Sequence, residues 1–485
     1  DLPSTTATLT ALATSATRPS TTATPDRPRD LRGPALHHRN PDRPRDLRAS
    51  IHERRHPQTH LARALRGSTL PLRRPDRPRS VQPPNSPPPP PVSFAAIRLH
   101  YLLVYAVVGA YMPYLPVFLG RDLGFPDSQI GWVAGVYGLS VIVSPPIVTY
   151  LADRRFAGRT LIALGYALAA LGLVAIALAD TFVAVLLVSF AFSTVFTPLF
   201  ALLDGLSFSA MAREAEAGRR HPAYEQIRVW GSLGFMLPAF VLFFVLKAGA
   251  ATGRAAILAA AVAAALALVC VPLLPHLPPL PRTAAIPRGA AWQVLRARPT
   301  RHLVIPLGLL FAAISVFYAF YARLVLAVGI APEWVGLVMN IGVLSELPFM
   351  LAGGALLRRF SLRSLALFGA ACLALRMALL AAVPDPIVTI SSQILHGPVV
   401  VALYLIPPMY LNLKAPAGVR NHVQGLHAML CFGLARLSGS VLGGYAADVT
   451  LALAFALAAV FAAIAWLWLW LRFHDPEADA TLRPT

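Results

Sequence analysis

Five ionisable side chains stand deep inside long apolar runs of this 485-residue chain: Asp204, Arg228, Glu346, Arg376 and His396. An ionised side chain at the centre of a bilayer costs roughly 2.5–3.5 kcal/mol even on insertion scales, so such residues face a cavity and a partner. Glu346, Arg376 and His396 fall near the middle of three consecutive runs, where antiparallel neighbours can bring them to one depth. The chemistry available to such a set is proton handling. Burial in a low dielectric favours a neutral carboxyl, a nearby guanidinium favours the carboxylate, and histidine titrates near physiological pH. The set therefore points to Glu346 as proton carrier, Arg376 as its modulator, and His396 as relay or solute ligand.

Asp204 and Arg228 lie at similar depth in two further runs and can also meet. A guanidinium offers a planar fork to a carboxylate or to vicinal hydroxyls. An Arg228 left free would suit an aromatic or small organic acid, and one neutralised by Asp204 a neutral sugar or nucleoside; both stay open. The competing reading is two buried ion pairs, Asp204–Arg228 and Glu346–Arg376, that only fix helix packing. Against it, an apolar pair of similar volume is often as stable as a buried ion pair, and a third titratable group beside one pair has no packing rationale. Tyr101, Tyr105, Tyr111 and Tyr114, with Phe317, Tyr318 and Tyr321, offer aromatic walls for a central cavity, Tyr105 and Tyr318 in particular as solute contacts. Their alternative is a place in packing or in the interfacial aromatic belt.

The elements that must position these groups are membrane helices. The chain is 56% hydrophobic and only 13% charged, with a mean hydropathy of +0.61. A soluble domain carries about twice that charge, so a soluble enzyme, a disordered chain and a coiled coil are excluded. A span needs about 20 consecutive apolar residues. Twelve such runs occur, at 97–120, 129–152, 159–179, 181–210, 226–247 and 254–274, then 301–327, 333–356, 363–383, 387–413, 419–447 and 449–472. A polar, proline-rich connection, Pro275 to Thr300, divides them six and six. That outline is an all-α membrane protein of two six-helix bundles, 96–274 and 301–473, around a central loop at 275–300, with a tail at 474–485.

Charge placement fixes an orientation. Loops after even-numbered runs hold 16 cations, from Arg154 to Arg420, whereas the odd-numbered side has only Arg121, Lys247, Arg254 and Arg323. The positive-inside rule places both termini and the central loop in the cytoplasm of a plasma-membrane protein, read as bacterial. Arg154-Arg-Phe-Ala-Gly-Arg159 and Arg358-Arg-Phe-Ser-Leu-Arg363 occupy the same ordinal place in each half, which marks an internal duplication. Prolines within the runs, among them Pro238, Pro348, Pro398, Pro407 and Pro408, bend helices and free carbonyls. Gly231-Ser-Leu-Gly234 and Ser438-Gly-Ser-Val-Leu-Gly-Gly444 permit close helix contact.

Residues 1–95 are of another kind. They hold 16 Arg, no Lys, 7 acidic residues and 18 prolines, and they repeat Asp-Arg-Pro-Arg from residues 26, 42 and 76. Such a segment cannot bury enough apolar surface to offset its ordering entropy. A lipid- or nucleic-acid-binding tail and an inert linker are two readings of it. The favoured one is read-through from upstream of the true start, since the first methionine is Met112 and Arg outnumbers Lys 40 to 2. Of the net charge of +20, this segment contributes +9, so no nucleic-acid partner is expected. Cys270, Cys372 and Cys431 lie in apolar runs, and neither a Walker loop nor metal-ligand spacing occurs, so no cofactor or metal is expected.

Leu151-Ala-Asp-Arg154 followed by Gly158-Arg159 resembles the loop 2–3 signature of the major facilitator superfamily, with Thr149 in place of its first Gly and a longer spacing to Gly158. Thr197-Pro-Leu-Phe-Ala-Leu-Leu-Asp204, Tyr224-Glu-Gln-Ile-Arg-Val-Trp-Gly-Ser-Leu-Gly-Phe235, Gly342-Val-Leu-Ser-Glu346 and Gln393-Ile-Leu-His396 are similar to the phenylpropionate-permease group, relatives of the lactose permease and nucleoside proton symporters. The resemblance implies a conformational latch at Asp153 and Arg159, solute contacts at Asp204 and Arg228, and proton coupling at Glu346, Arg376 and His396. Those relatives also carry a Glu three residues after the His, where this chain has Val399. The expectation is a monomeric proton symporter that imports a small organic solute, an aromatic acid or a nucleoside or sugar, by alternating access. Its rivals are a proton-antiporting exporter and a polytopic sensor or enzyme.

Overall fold

The structure, a computed structural model, describes residues 91–154, 158–249, 253–276, 289–416 and 418–478, with the side chains of 145–154 left aside. Over these residues the chain is all-α. The first six long helices are α1 (Phe94–Asp122), α2 (Asp127–Arg154), α3 (Gly158–Leu178), α4 (Phe182–Glu216), α5 (Tyr224–Lys247) and α6 (Gly253–Leu273). The second six are α7 (Arg298–Ala327), α8 (Pro332–Leu351), α9 (Leu362–Ala382), α10 (Pro386–Lys414), α11 (Arg420–Val449) and α12 (Leu451–Arg472). Eleven of them are long and apolar enough to cross a membrane, and α2 has the length, with 28 residues or about 42 Å. Residues 1–90, where the Arg- and Pro-rich repeats fall, lie outside the described residues, as do residues 277–288 of the central connection. Ala290–Arg296, inside the stretch expected to be loop, forms a short helix.

Local chemistry sets the helix starts. The Ser361 hydroxyl accepts the Ser364 N–H at the start of α9, Asp385 accepts the N–H groups of Ile387 and Val388 at α10, and Thr450 accepts that of Leu453 at α12. Each satisfies amide donors that the first turn leaves without a helical partner. The small-residue runs act as expected. A Cβ on Gly234 of α5 would collide with the Leu102 carbonyl of α1, and one on Gly109 of α1 would collide with the Phe235 carbonyl, so these helices pack backbone to backbone.

The two bundles join at the end that carries the odd-numbered loops. Arg323 at the end of α7 pairs with Asp127 at the start of α2 at 3.1 Å. The Ser128 N–H donates to Asp448 at the end of α11 (2.9 Å), the Gly336 N–H to the Tyr114 hydroxyl (3.2 Å), and the Asn340 amide to the Met236 carbonyl (3.0 Å). Gly444 of α11 lies so close to Asp127 and Gly131 of α2 that a side chain there would force the helices apart. Moving along α8 away from this closure, exposure of the cavity-lining methionines rises from 6% at Met339 to 49% at Met350. The interior between the bundles therefore opens toward the even-loop end.

Candidate functional site

Two adjoining lobes occupy the space between the bundles, of about 300 and 590 Å³. Tyr105 of α1, Tyr318 of α7 and Tyr404 of α10 line both, so the lobes meet at a tyrosine-rich waist. The first lobe is walled by α1, α5, α7, α8 and α10 and holds Arg228, Glu346, Gln393 and His396. The second reaches α2, α4 and α11 and holds Asp204 and Arg436.

In the C-terminal bundle the polar groups form one chain. Helix α10 is irregular where it meets the cavity: a 3-10 turn at Ser392–Leu395, an α-turn at His396–Val400, then a π-turn at Val401–Leu405. In a 3-10 turn residues three apart eclipse one another, which sets Gln393 and His396 on one line. Pro398, lacking an N–H, leaves a carbonyl of that turn without its helical donor. The Ser345 hydroxyl accepts the Gly397 N–H (3.0 Å), which ties α8 to α10 beside Glu346. His396 then touches three partners. Its Nε2 lies 3.0 Å from Glu346 Oε1 and 3.3 Å from the Tyr318 hydroxyl, and its Nδ1 lies 2.8 Å from Arg376 Nη1. Arg376 also donates to the side-chain amide oxygen of Gln393 and lies 3.9 Å over the Phe317 ring. It is wholly buried, whereas the Glu346 side chain keeps 19% of its surface open to the cavity.

The tautomer of His396 follows from these contacts. Arginine can only donate, so Nδ1 must present a lone pair to Arg376, and Nε2 carries the proton and donates to the Glu346 carboxylate. A doubly protonated ring would set N–H against N–H at Arg376. Glu346 and Arg376 thus communicate through a neutral imidazole; the direct Glu346–Arg376 ion pair considered from sequence is not formed.

The N-terminal bundle is built differently. Asp204 of α4 accepts from the hydroxyls of Tyr101 and Tyr224, the latter at 2.8 Å. Arg228 of α5 donates to the Tyr105 hydroxyl and stacks 4.2 Å above its ring. Gly231, one turn further along α5, leaves the room for that stack, since a Cβ there would strike both Arg228 and Tyr105. An Asp204–Arg228 ion pair is likewise not formed. Tyrosines satisfy both charges instead.

Among the aromatic candidates, Tyr105 and Tyr318 line both lobes and Tyr111 the second. Tyr114 is consumed by the closure at Gly336, and Tyr321 donates to the Thr389 carbonyl (2.7 Å) in the packed core. Arg159 opens α3 half-buried; the side chain of Asp153 lies outside the described residues, so the loop 2–3 latch has no described geometry. Sequence reasoning missed Gln393 and Arg436 as site residues. Gln393 lay in plain sight, three residues before His396. Arg436, past the middle of the eleventh run, meets the same depth criterion as Glu346. Tyr224 could have been found from its place one turn before Arg228.

Two bundles around a two-lobed cavity closed at one end define a secondary transporter rather than an enzyme. The family model described as "MFS_1 like family" matches residues 94–457, and the chain belongs to that family. It is 29% identical over 355 residues to the maltose permease of Geobacillus stearothermophilus, which covers 72% of this chain and 86% of that protein. It is 24% identical to the xanthosine permease of Escherichia coli, over 73% of this chain and 88% of that one. The crystal structure of nucleoside transporter NupG superposes with a TM-score of 0.66 at 19% identity, covering 78% of this chain and 97% of that one, a likeness of fold.

Proposed function

We propose that this transporter is a proton-coupled symporter that imports a small solute bearing hydroxyls or a ring, with Glu346 as the proton carrier. The observation that carries the reading is the chain Glu346–His396–Arg376, set beside the cavity with its carboxylate end the most exposed and its guanidinium end wholly buried. All three members belong to α8–α10 and move with one bundle, whereas Arg228 and Asp204 belong to the other. A solute that bridges Arg228 and the Glu346 side is therefore what draws the bundles together, and the proton on Glu346 is what makes that closure electrically acceptable. With Glu346 ionised, the His396 N–H has its acceptor. With Glu346 protonated, its carboxyl is a neutral and weaker acceptor, and the His396 N–H can turn to the Tyr318 hydroxyl 3.3 Å away. Closing a cavity over a carboxylate is costly and over a carboxylic acid is not, so bundle motion follows proton and solute together. The names of the relatives favour a nucleoside or sugar; the aromatic wall serves a ring equally well.

The cation-rich even-numbered loops are placed in the cytoplasm, so the conformation is inward-facing, in a multi-pass monomer of the bacterial plasma membrane with both ends inside. The test is transport by the full chain in proteoliposomes. Replacing Glu346 by Gln should abolish uphill accumulation driven by a proton gradient while sparing solute counterflow. Unchanged accumulation would remove Glu346 from the mechanism.

A further inference from the structure

Arg436 is the one charged group of the cavity with no polar partner among the described residues. It follows a π-helical stretch of α11, Met429–Ala435, and its guanidinium lies 4.2 Å over the Tyr137 ring and 6.0 Å from that of Tyr318. Among the described residues it makes no hydrogen bond and no ion pair, and its Nε is buried without an acceptor. The charges that share its lobe and the next are Asp204, held by two tyrosines, Arg228, held by Tyr105, and Glu346, joined through His396 to Arg376. With His396 neutral, three guanidiniums face two carboxylates, and the surplus positive charge is the one without a partner.

Arg436 is half-buried: its Nε is buried without a partner, which is unfavourable, and its remaining donors face the cavity, where a ligand can meet them in place of water. Stacking on tyrosine offsets a part of this and leaves the edge of the fork free for an acceptor. The walls around it are rings: Tyr111, Phe196, Phe200 and Phe432, beside Tyr137. The larger lobe thus has the lining for a planar ring and one cation for a negative charge on it. The smaller lobe presents Arg228, Gln393, His396 and Glu346, donors and acceptors suited to hydroxyls.

Resting on the transporter reading, we propose that Arg436 reads the solute's charge. The second lobe takes a planar ring bearing a single delocalised negative charge, and the first lobe takes the hydroxylated remainder of the same molecule. That chemistry is met by an acidic nucleoside, one whose base loses a proton near neutral pH. Arg436 binds the anionic edge of the base, and the ribose lies across the tyrosine waist toward Arg228.

The test is equilibrium binding to the full chain purified in detergent, with xanthosine, neutral inosine and 3-phenylpropionate as probes, so proton coupling is not involved. Xanthosine should bind about tenfold more tightly than inosine, the measure of one charge-assisted contact. Its advantage should grow as pH rises through the ionisation of the base. R436Q should bring the two nucleosides to one affinity by costing xanthosine far more than inosine, R436K should keep part of the preference, and the ligand-free Tm of R436Q should fall little, because the stack on Tyr137 is lost but no hydrogen-bond or ion-pair partner. A preference that survives R436Q, or an equal loss for both nucleosides, overturns the proposal. So does Arg436-dependent binding of 3-phenylpropionate without xanthosine, or binding of none of the three. Proton-driven uptake of maltose or another neutral solute through liposomes of the same preparation would then leave the transport reading standing alone.

Discussion

The two halves of this cavity solve the same problem, a charge inside a membrane protein, by opposite means. In the C-terminal half Glu346, His396, Arg376 and Gln393 form a continuous chain, so that a change at the carboxylate is felt at a guanidinium two contacts away. In the N-terminal half Asp204 and Arg228 are each satisfied separately by tyrosine hydroxyls, and neither depends on the other. A chain of titratable groups transmits protonation. Isolated charges with neutral partners stay as they are and remain available to a ligand. On the proposed reading, coupling falls to the C-terminal bundle, while recognition draws on Arg228 of one bundle and Arg436 of the other.

The largest expected effect falls on the chain. Arg376→Leu leaves the Gln393 amide oxygen and the imidazole without their donor in a fully buried site, and each buried acceptor left unsatisfied costs about 1–3 kcal/mol. A thermal-unfolding midpoint that barely moves would mean the chain is not a unit. Next comes Arg228→Ala, which should weaken solute binding by about 2 kcal/mol, roughly thirtyfold, with little change in the proton dependence of transport. Equal damage to coupling and affinity would erase the division between the halves. Asp204→Asn should be milder, about 1 kcal/mol, because the amide oxygen still accepts from Tyr101 and Tyr224. Binding isotherms for the two variants check that ranking.

The smallest effect lies outside both half-sites. Asp475, just beyond α12, is buried, which works against its charge. Hydrogen bonds from Lys414 and the Tyr410 hydroxyl nevertheless hold its carboxyl below the ordinary carboxylate range. A lowered folded-state pKa contributes stability above the unfolded value and loses it as pH falls through the folded one. Wild type should therefore lose its advantage over Asp475→Asn on acidification, read as converging unfolding midpoints. A gap independent of pH would show that the contact stabilises only through packing.

Much of the architecture was legible because membrane helices write themselves in composition: every expected run became a helix within a turn or two of its bounds. The same hydropathy located Glu346, Arg376 and His396, since charge in an apolar run is conspicuous. Pairing was not legible. Opposite charges at similar depth suggested Asp204–Arg228 and Glu346–Arg376, yet helix rotation and the irregular turn in α10 gave both carboxylates other partners. The short helix at Ala290–Arg296 was lost in a proline-rich connection, and Arg436 was passed over in a helix rich in small residues.

By itself, then, the sequence determined how many helices there are, which segments are apolar enough to span and which charges must sit inside, because these depend on the free energy of transfer of each segment alone. Only the tertiary structure decided who meets whom: that His396 stands between Glu346 and Arg376, that tyrosines screen Asp204 from Arg228, and that Arg436 has no polar partner among the described residues. Those outcomes turn on the rotation of each helix about its axis and on local 3-10 and π-turns, which shift a side chain to another face at almost no change in hydropathy.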